Sequence, residues 1–490
     1  MNTVPCIRLD ACPRRRQLPF VMALVAAAFG GSVRLGAQDA LPTLADVTPK
    51  GAVVPRVQSR TNPKATYAVY LPSSYTRDKR WPVLILMDPR GRALIPMELF
   101  REPAERLGYI VLSSYDTQSD GSREPNDMAL DAILGDVQRY LPLDAKRLYL
   151  AGFSGTARFA WDVSDQLPSA LAGILGFGAG TPGDKRWLAQ HVHGAPFDYY
   201  GAVGNVDPNY IEMRQLARDL AEARIPFHID GFDGPHAWPP AATCRRALEW
   251  MELRAMDRRL RPVDSAWVDS LAAARRRLLP PVDPPTADGL RARRDWLQDF
   301  APSQDTTAVA REAAALAANP GVRQVLQRED ALEAKDLAWM RGYFEFLTAL
   351  KRESPPPDVG QGKRRASIDE LVKLAGSQSD SLGAVAGRRG IARILVYATF
   401  YEFRDYLATH QWDRAETLLK VAEAANGADG GVCFALARVQ AQLDRPKESL
   451  AHLECAERAG ILTHELMRHP LLEPVRADPR FTAIDARLTR

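Results

Sequence analysis

The chain reads as an α/β fold with a mostly parallel sheet in its first half and as packed helices in its second. Three observations lead there. Between about residues 65 and 240, short apolar runs alternate with amphipathic stretches, the pattern of helices covering both faces of a parallel sheet. After about residue 260 the strand-like runs stop while helical periodicity continues. The C-terminal part carries a repeat with a period of 34 residues.

The N-terminus stands apart. Arg14-Arg15-Arg16 is followed by the uncharged run Leu18–Gly31 and a small-residue exit at Gly36-Ala37. That order is the secretory pattern, which predicts a cleavable leader at 1–37 and a secreted or periplasmic protein. The formal charge is +4, and five arginines against Asp10 put that whole excess in the first 37 residues. The remainder is formally neutral, so no basic footprint for nucleic acid is expected. No later run reaches the 18 or more apolar residues of a membrane span. Hydrophobic residues make up 46% and charged ones 25% of the 490 residues, ordinary globular usage that excludes a disordered, collagen-like or coiled-coil chain. No Cys-x-x-Cys pair exists, so no structural zinc site is read, and no metal or cofactor is expected.

Strands are expected at Tyr67–Leu71, Val83–Met87, Tyr109–Ser113, Arg147–Gly152, Gly173–Gly178, Phe197–Val203 and Phe227–Phe232. Several are continuous apolar runs, as in strands buried on both faces. Helical patterns separate them at Leu94–Leu107, Asp127–Tyr140, Ala157–Gln166, Tyr210–Arg224 and Ala241–Arg258. Further helices are expected at Asp264–Leu278, Asp288–Phe300, Thr306–Ala318 and Glu329–Leu350. Prolines and like charges make Lys351–Ser367 the best linker candidate. The organisation is therefore a leader (1–37), an α/β domain (45–259), a helical region with Pro-rich linkers (260–366) and a helical-repeat domain (367–490).

In the repeat, Ala415, Leu419 and Ala422 recur as Ser449, Leu453 and Ala456, with Leu436 and Ala437 on the helix before the second set. This resembles tetratricopeptide repeats over roughly 395–460, in which 34 residues make one helical hairpin. Glu402 and Phe403 depart from the pattern in the first copy. The resemblance implies a surface for a protein partner or for self-association. Cys433 and Cys455 lie at comparable distances either side of the Asp444-Arg445-Pro446 turn, where antiparallel helices allow a disulfide.

The chemical signal is Leu148-Tyr149-Leu150-Ala151-Gly152-Phe153-Ser154-Gly155-Thr156, an apolar strand running into Gly-x-Ser-Gly before a helix. A nucleophilic serine on a sharp strand-to-helix turn projects above the sheet. Small neighbours relieve the crowding, and the next backbone N–H, that of Gly155, faces a developing oxyanion. Thr156 departs from the G-x-S-x-G pattern, and its branched side chain is expected to crowd the helix. A serine needs a base, and the base an acid to orient it. Of His191, His193, His228 and His236, His228 lies mid-strand and reads as structural, whereas His236 follows the last strand, at the carboxyl end where α/β folds bind ligands. Asp207 follows the preceding strand; Pro208 after it also suits a helix start. Glu212 is the reserve acid, expected to face outward.

The elbow at Ser154, the Gly204-x-x-Asp207 loop with Tyr210 and Glu212, and Phe232-Asp233-Gly234-x-His236-x-Trp238-Pro239-Pro240 occur in that order. Together they resemble the secreted α/β-hydrolase esterases of the poly(3-hydroxybutyrate) depolymerase and feruloyl-esterase-like branch, over about 65–258. The resemblance implies a doubly wound α/β-hydrolase sheet and a serine hydrolase acting on a small-molecule or polymeric carboxylic ester through Ser154, Asp207 and His236. Its relatives often carry His-Gly after the third strand; here the segment is Asp88-Pro89-Arg90-Gly91-Arg92. Pro89 has no N–H to donate, so the Arg90 N–H is the first choice as second oxyanion donor, with Gly91 behind it. Asp88 then needs a partner, Arg90 or Arg92. Tyr115, Phe153, Trp161 and Trp238 are candidates to line a substrate pocket. Thr181–Ala195 is too short for a lid, which implies an open cleft. Amide or peptide cleavage, and an inactive hydrolase fold that binds through its helices, are the alternative readings.

Overall fold

Valine, isoleucine and leucine fill the central strands because both faces of the sheet are covered. In β3 (Trp81–Met87) every residue is buried. Val83, Ile85 and Met87 enter one core while Leu84 and Leu86 enter the other, the two-residue alternation of a strand. β5 (Leu143–Phe153) does the same, with Leu148 and Leu150 on one side and Tyr149, Ala151 and Phe153 on the other.

The computed structural model describes residues 42–44, 49–119, 121–167, 169–180 and 195–488. The leader at 1–37, His191, His193 and the connection Thr181–Ala195 apart from Ala195 lie outside the described residues. Among the described residues eight strands form one sheet in the order β1-β2-β4-β3-β5-β6-β7-β8, the others being β1 (Val53–Gln58), β2 (Thr66–Tyr70), β4 (Ile110–Ser114), β6 (Gly173–Phe177), β7 (Asp198–Gly204) and β8 (Phe227–Phe232). Only β2 runs against its neighbours. This is the mostly parallel sheet expected. β1 is an addition: Pro55 and Arg56 hide its strand character, and its pairing slips between Val54 and Val57, which an edge strand tolerates.

Helices cover both faces. α2 (Glu124–Tyr140), α3 (Gly155–Gln166) and α4 (Tyr210–Glu222) place Ile133, Phe159 and Met213 in one core. α1 (Leu94–Leu107) and α5 (Ala241–Asp257) place Phe100 and Leu248 in the other. Because β3, β5, β6, β7 and β8 are parallel, their carboxyl ends share one edge, and the loops after β5, β7 and β8 meet there.

The second half is helical throughout its described residues: α6 (Ser265–Arg277), α7 (Ala287–Phe300), α8 (Thr307–Ala318), α9 (Pro320–Arg352), α10 (Val359–Arg365), α11 (Ile368–Ala375), α12 (Ser381–Val396), a π-helical turn (Tyr397–Tyr401), α13 (Glu402–Ala408), α14 (Trp412–Ala425), α15 (Gly430–Gln442), α16 (Pro446–Arg458) and shorter segments to Arg487. α9 starts nine residues before the expected Glu329, because Asn319 caps it and Pro320 takes the first helical position, where a missing N–H does no harm. The stretch Lys351–Ser367 is no open linker. Asp358 and Gln361 form a capping box on α10, and Gly362 packs on Phe346 and Val421. Ala415, Leu419, Ala422, Leu436, Ala437, Ser449, Leu453 and Ala456 are all buried. Cys433 and Cys455 form a disulfide between α15 and α16 with their Cα atoms 5.8 Å apart.

Buried charge ties the two halves together. His228 on β8 bonds Asp230 (Nε2–Oδ1 2.9 Å) and faces Asp299 of α7 at 3.6 Å. Arg246 of α5 reaches Asp230 (3.2 Å), and Arg275 of α6 reaches Asp299 (2.6 Å). Burial lowers the His228 pKa, but the bond to Asp230 and the nearby Asp299 carboxylate outweigh this and raise it from 6.5 to about 9. A histidine whose pKa is raised by folding contributes stability in full below its unfolded value and loses it as the pH climbs through the folded one. The thermal midpoint is therefore expected to fall between pH 6.5 and 9.5 by more in the wild type than in His228→Gln, as melts across that range will read.

Candidate active site

Ser154 sits between β5 and α3 at φ 55°, ψ −125°, a left-handed backbone that side chains adopt only when surroundings enforce it. Two contacts enforce it. The Ser154 N–H donates to Phe177 O on β6 at 2.8 Å, and a Cβ on Gly152 would stand 2.3 Å from Thr156 O, so only glycine lets the chain turn this tightly. Thr156 is fully buried and does not crowd the turn as expected. Its hydroxyl accepts from the Phe153 N–H (3.0 Å) and lies 2.5 Å from Met87 O at the end of β3. The branched residue thus stitches the elbow to the neighbouring strand.

Asp207 and His236 arrive on two loops that are laced to each other. The Asn205 N–H donates to Phe232 O (2.9 Å), the Val206 N–H to Gly234 O (3.2 Å), and the Gly234 N–H to Asn205 Oδ1 (3.2 Å). Asn205 Nδ2 donates to Asp233 Oδ1 (2.9 Å). The result is a continuous chain: Asp207 Oδ2 to His236 Nδ1 at 2.7 Å and His236 Nε2 to Ser154 Oγ at 2.9 Å. A carboxylate accepts only, so Nδ1 carries the proton and Nε2 is left to accept from the serine. Asp207 is fully buried, Ser154 nearly so, and the imidazole side chain keeps 28% of its surface exposed. The second Asp207 oxygen accepts from the Asn209 N–H at 2.8 Å, so the loop-capping role coexists with the first. Gly178, at φ +62°, allows the close approach. A Cβ there would lie 3.2 Å from both Asp207 Oδ2 and His236 Cε1.

Other expectations change. The Arg90 N–H donates to Asp88 Oδ1 at 2.9 Å, and the Gly91 N–H to Asp88 O at 3.0 Å. Both are spent inside their own loop, so neither stands as the second oxyanion donor. Gly155 opens α3, where the first N–H groups have no intrahelical acceptor. Asp88 finds its partner in Arg92, with Nε at 3.0 Å and Nη2 at 2.9 Å, and in Trp238 Nε1 at 2.8 Å. Burial raises the Asp88 pKa, but these donors hold it below the usual carboxylate value. Trp238 is thus a buried strut rather than an open pocket wall. Trp161 is core, 4.8 Å from the Tyr199 ring. The Tyr115 hydroxyl donates to Pro55 O at 2.6 Å, beneath Arg56. Phe153 stays at the site, its ring 4.5 Å from that of His236. Glu212 is not a reserve acid. It pairs with Arg158 (2.7 Å) and accepts from the Gly180 N–H (2.8 Å).

Among the described residues His228, Asp230 and Asp295 form a cluster with metal-ligating atoms within 4.8 Å, but Arg246 already supplies its positive charge, 3.2 Å from Asp230 and 3.4 Å from Asp295. No described helix is long and apolar enough to cross a membrane.

No protein-family model matches the chain, and no curated protein does. Several solved structures are similar to part of the chain. FphF, a fluorophosphonate-binding serine hydrolase of Staphylococcus aureus, is 17% identical, with a TM-score of 0.36 over 41% of this chain and 99% of its own. An S-formylglutathione hydrolase from Agrobacterium tumefaciens is 14% identical, with a TM-score of 0.35 over 44% of this chain and 99% of its own. The feruloyl esterase module from Clostridium thermocellum is 12% identical, with a TM-score of 0.33 over 42% of this chain and 87% of its own. The fold is read from strand order and register, which these likenesses accompany.

Proposed function

We propose that the protein is an exported serine hydrolase that cleaves carboxylic esters through an acyl-enzyme. The observation that carries this reading is the hydrogen-bonded chain Asp207–His236–Ser154, with the serine on an enforced turn. His236 Nε2 takes the Ser154 proton as Oγ bonds to the ester carbonyl carbon. Asp207 holds the imidazole in the reactive tautomer and stabilises its cation. The Gly155 N–H faces the oxyanion. The tetrahedral adduct collapses with loss of the alkoxy group, which leaves as an alcohol bearing the proton from His236. Water, deprotonated by the same imidazole, then bonds to the acyl carbon; the bond from that carbon to Ser154 Oγ breaks, the acid leaves, and His236 gives the proton back to Oγ.

Export is supported by the leader pattern at 1–37 and by the Cys433–Cys455 disulfide, since such bonds persist in oxidising compartments. The tetratricopeptide-like stretch is proposed as a surface for a protein partner or for self-association.

Ser154→Ala is expected to lower turnover of p-nitrophenyl acetate by at least about a thousandfold and to abolish fluorophosphonate labelling, with the melting curve retained. Retained turnover and labelling would remove the nucleophile. Asp207→Asn is expected to reduce kcat by about four orders of magnitude by favouring the wrong imidazole tautomer. Thr156→Val strands the buried Phe153 N–H and Met87 O, and urea unfolding should read a loss of about 1–3 kcal/mol.

A further inference from the structure

The helical half reaches the loop that holds Asp207. On α12, Arg389 and Arg393 stand four residues apart and so share one face. Both grip Asp336 of α9, Arg389 through Nε (2.6 Å) and Arg393 through Nη1 (2.7 Å). Asp336 is fully buried and both arginines nearly so. Their remaining donors point across the sequence into the α/β half. Arg389 Nη1 donates to the backbone carbonyl of Asn205 at 2.7 Å, and Arg393 Nη2 to that of Pro208 at 3.4 Å. The Arg389 guanidinium also lies over the Tyr210 ring, 4.2 Å from its centroid. These three contacts bracket Asp207.

Two buried guanidiniums are expensive to keep out of water unless paired and hydrogen-bonded. One carboxylate cannot saturate ten donor hydrogens, and the two loop carbonyls take up part of the surplus. Asn205 is the residue whose side chain also holds Asp233 and Gly234, just before His236. A guanidinium fixed by Asp336 on one side and by Asn205 on the other therefore restrains the acid loop directly and the base loop through Asn205.

We propose that Asp336, Arg389 and Arg393 form a clamp by which the helical half positions the Asp207–His236 pair. The clamp residues touch no reacting atom and are positioning residues. The kinetic part of the proposal rests on the hydrolase reading; the structural part does not.

Arg389→Met in the full chain tests it. Hydrogen exchange at residues 205–210 should accelerate, and kcat for p-nitrophenyl acetate should fall about 10- to 100-fold at nearly unchanged KM, the size expected when a catalytic group shifts by about 1 Å. Arg218→Ala is the control. It breaks an exposed ion pair with Glu333 of α9 (2.6 Å) and should change neither. Equal losses in the two variants, or unchanged exchange at 205–210 in Arg389→Met, would overturn the clamp. If Arg389→Met does not fold, Arg389→Lys, with its charge kept but its fork removed, should show the same pattern in smaller measure, and unchanged exchange there would be equally decisive. A wild type that neither hydrolyses the ester nor takes a fluorophosphonate would defeat the hydrolase reading, while the exchange comparison would still judge the clamp.

Discussion

A carboxylate with no exposure to solvent stands at the centre of this molecule. Removing the Asp207 charge from water is unfavourable by several kcal/mol unless hydrogen bonds replace its hydration. His236 Nδ1 and the Asn209 N–H supply those bonds. Each of them imposes a further condition. The histidine must hold one tautomer, which leaves Nε2 free to face Ser154. Asn209 must stay in place, and its side chain does so by donating to Gly178 O at 2.8 Å. Gly178 in turn must lack a side chain, because a Cβ would press on both members of the pair. Satisfying one buried charge thus orders three loops.

A second buried carboxylate performs the same service on the other side of Ser154. Asp88 ends β3 where an oxyanion loop is expected, and it collects donors from Arg90, Arg92 and Trp238. The Thr117 hydroxyl adds a bond to its carbonyl at 2.7 Å. This explains two features together. Trp238 is drawn inward against Phe153 and Phe177, and the Arg90 N–H points at its own loop. A carboxylate beside a forming oxyanion would oppose it; neutralised by Arg92 it becomes a bracket joining the loop after β3 to the loop after β8.

Residues whose placement follows from simple chain and sheet geometry were legible in the sequence. The apolar runs of β3 to β6, the Gly-x-Ser turn, and the placement of Ser154, Asp207 and His236 after β5, β7 and β8 needed only alternation, small-residue turns and the shared edge of a parallel sheet. What escaped depends on partners distant in sequence. Thr156 looked like an obstruction because its acceptor, Met87 O, lies 69 residues away. Trp161 and Trp238 looked like pocket walls because aromatic residues near a motif say nothing about which face they take. Glu212 lies opposite Arg158, 54 residues back along the chain, and no local pattern distinguishes such a pair from a solvated one. β1 and the first turns of α9 were not among the expected elements; each holds a proline, Pro55 and Pro320, which an edge strand and a first helical turn accept.

The same contrast bears on what the helical half is. Read along the sequence, it begins where the strands stop and invites treatment as an appended module. Its buried charges argue otherwise. An appended module ends in a hydrated surface, and its ion pairs face water where they add little. Here Asp336, Arg389 and Arg393 are out of water, and the arginines find acceptors on Asn205 and Pro208, while Arg275 and Asp299 meet the His228 network beneath β8. Separation of the halves would leave unpaired charge on both sides of the boundary, a penalty that apolar contact alone does not create. The α/β half and the helices are in this sense one unit: Leu253 and Met256 of α5 share an apolar cluster with Val268, Trp296 and Phe300, and polar groups fix the registration at the loop that carries Asp207.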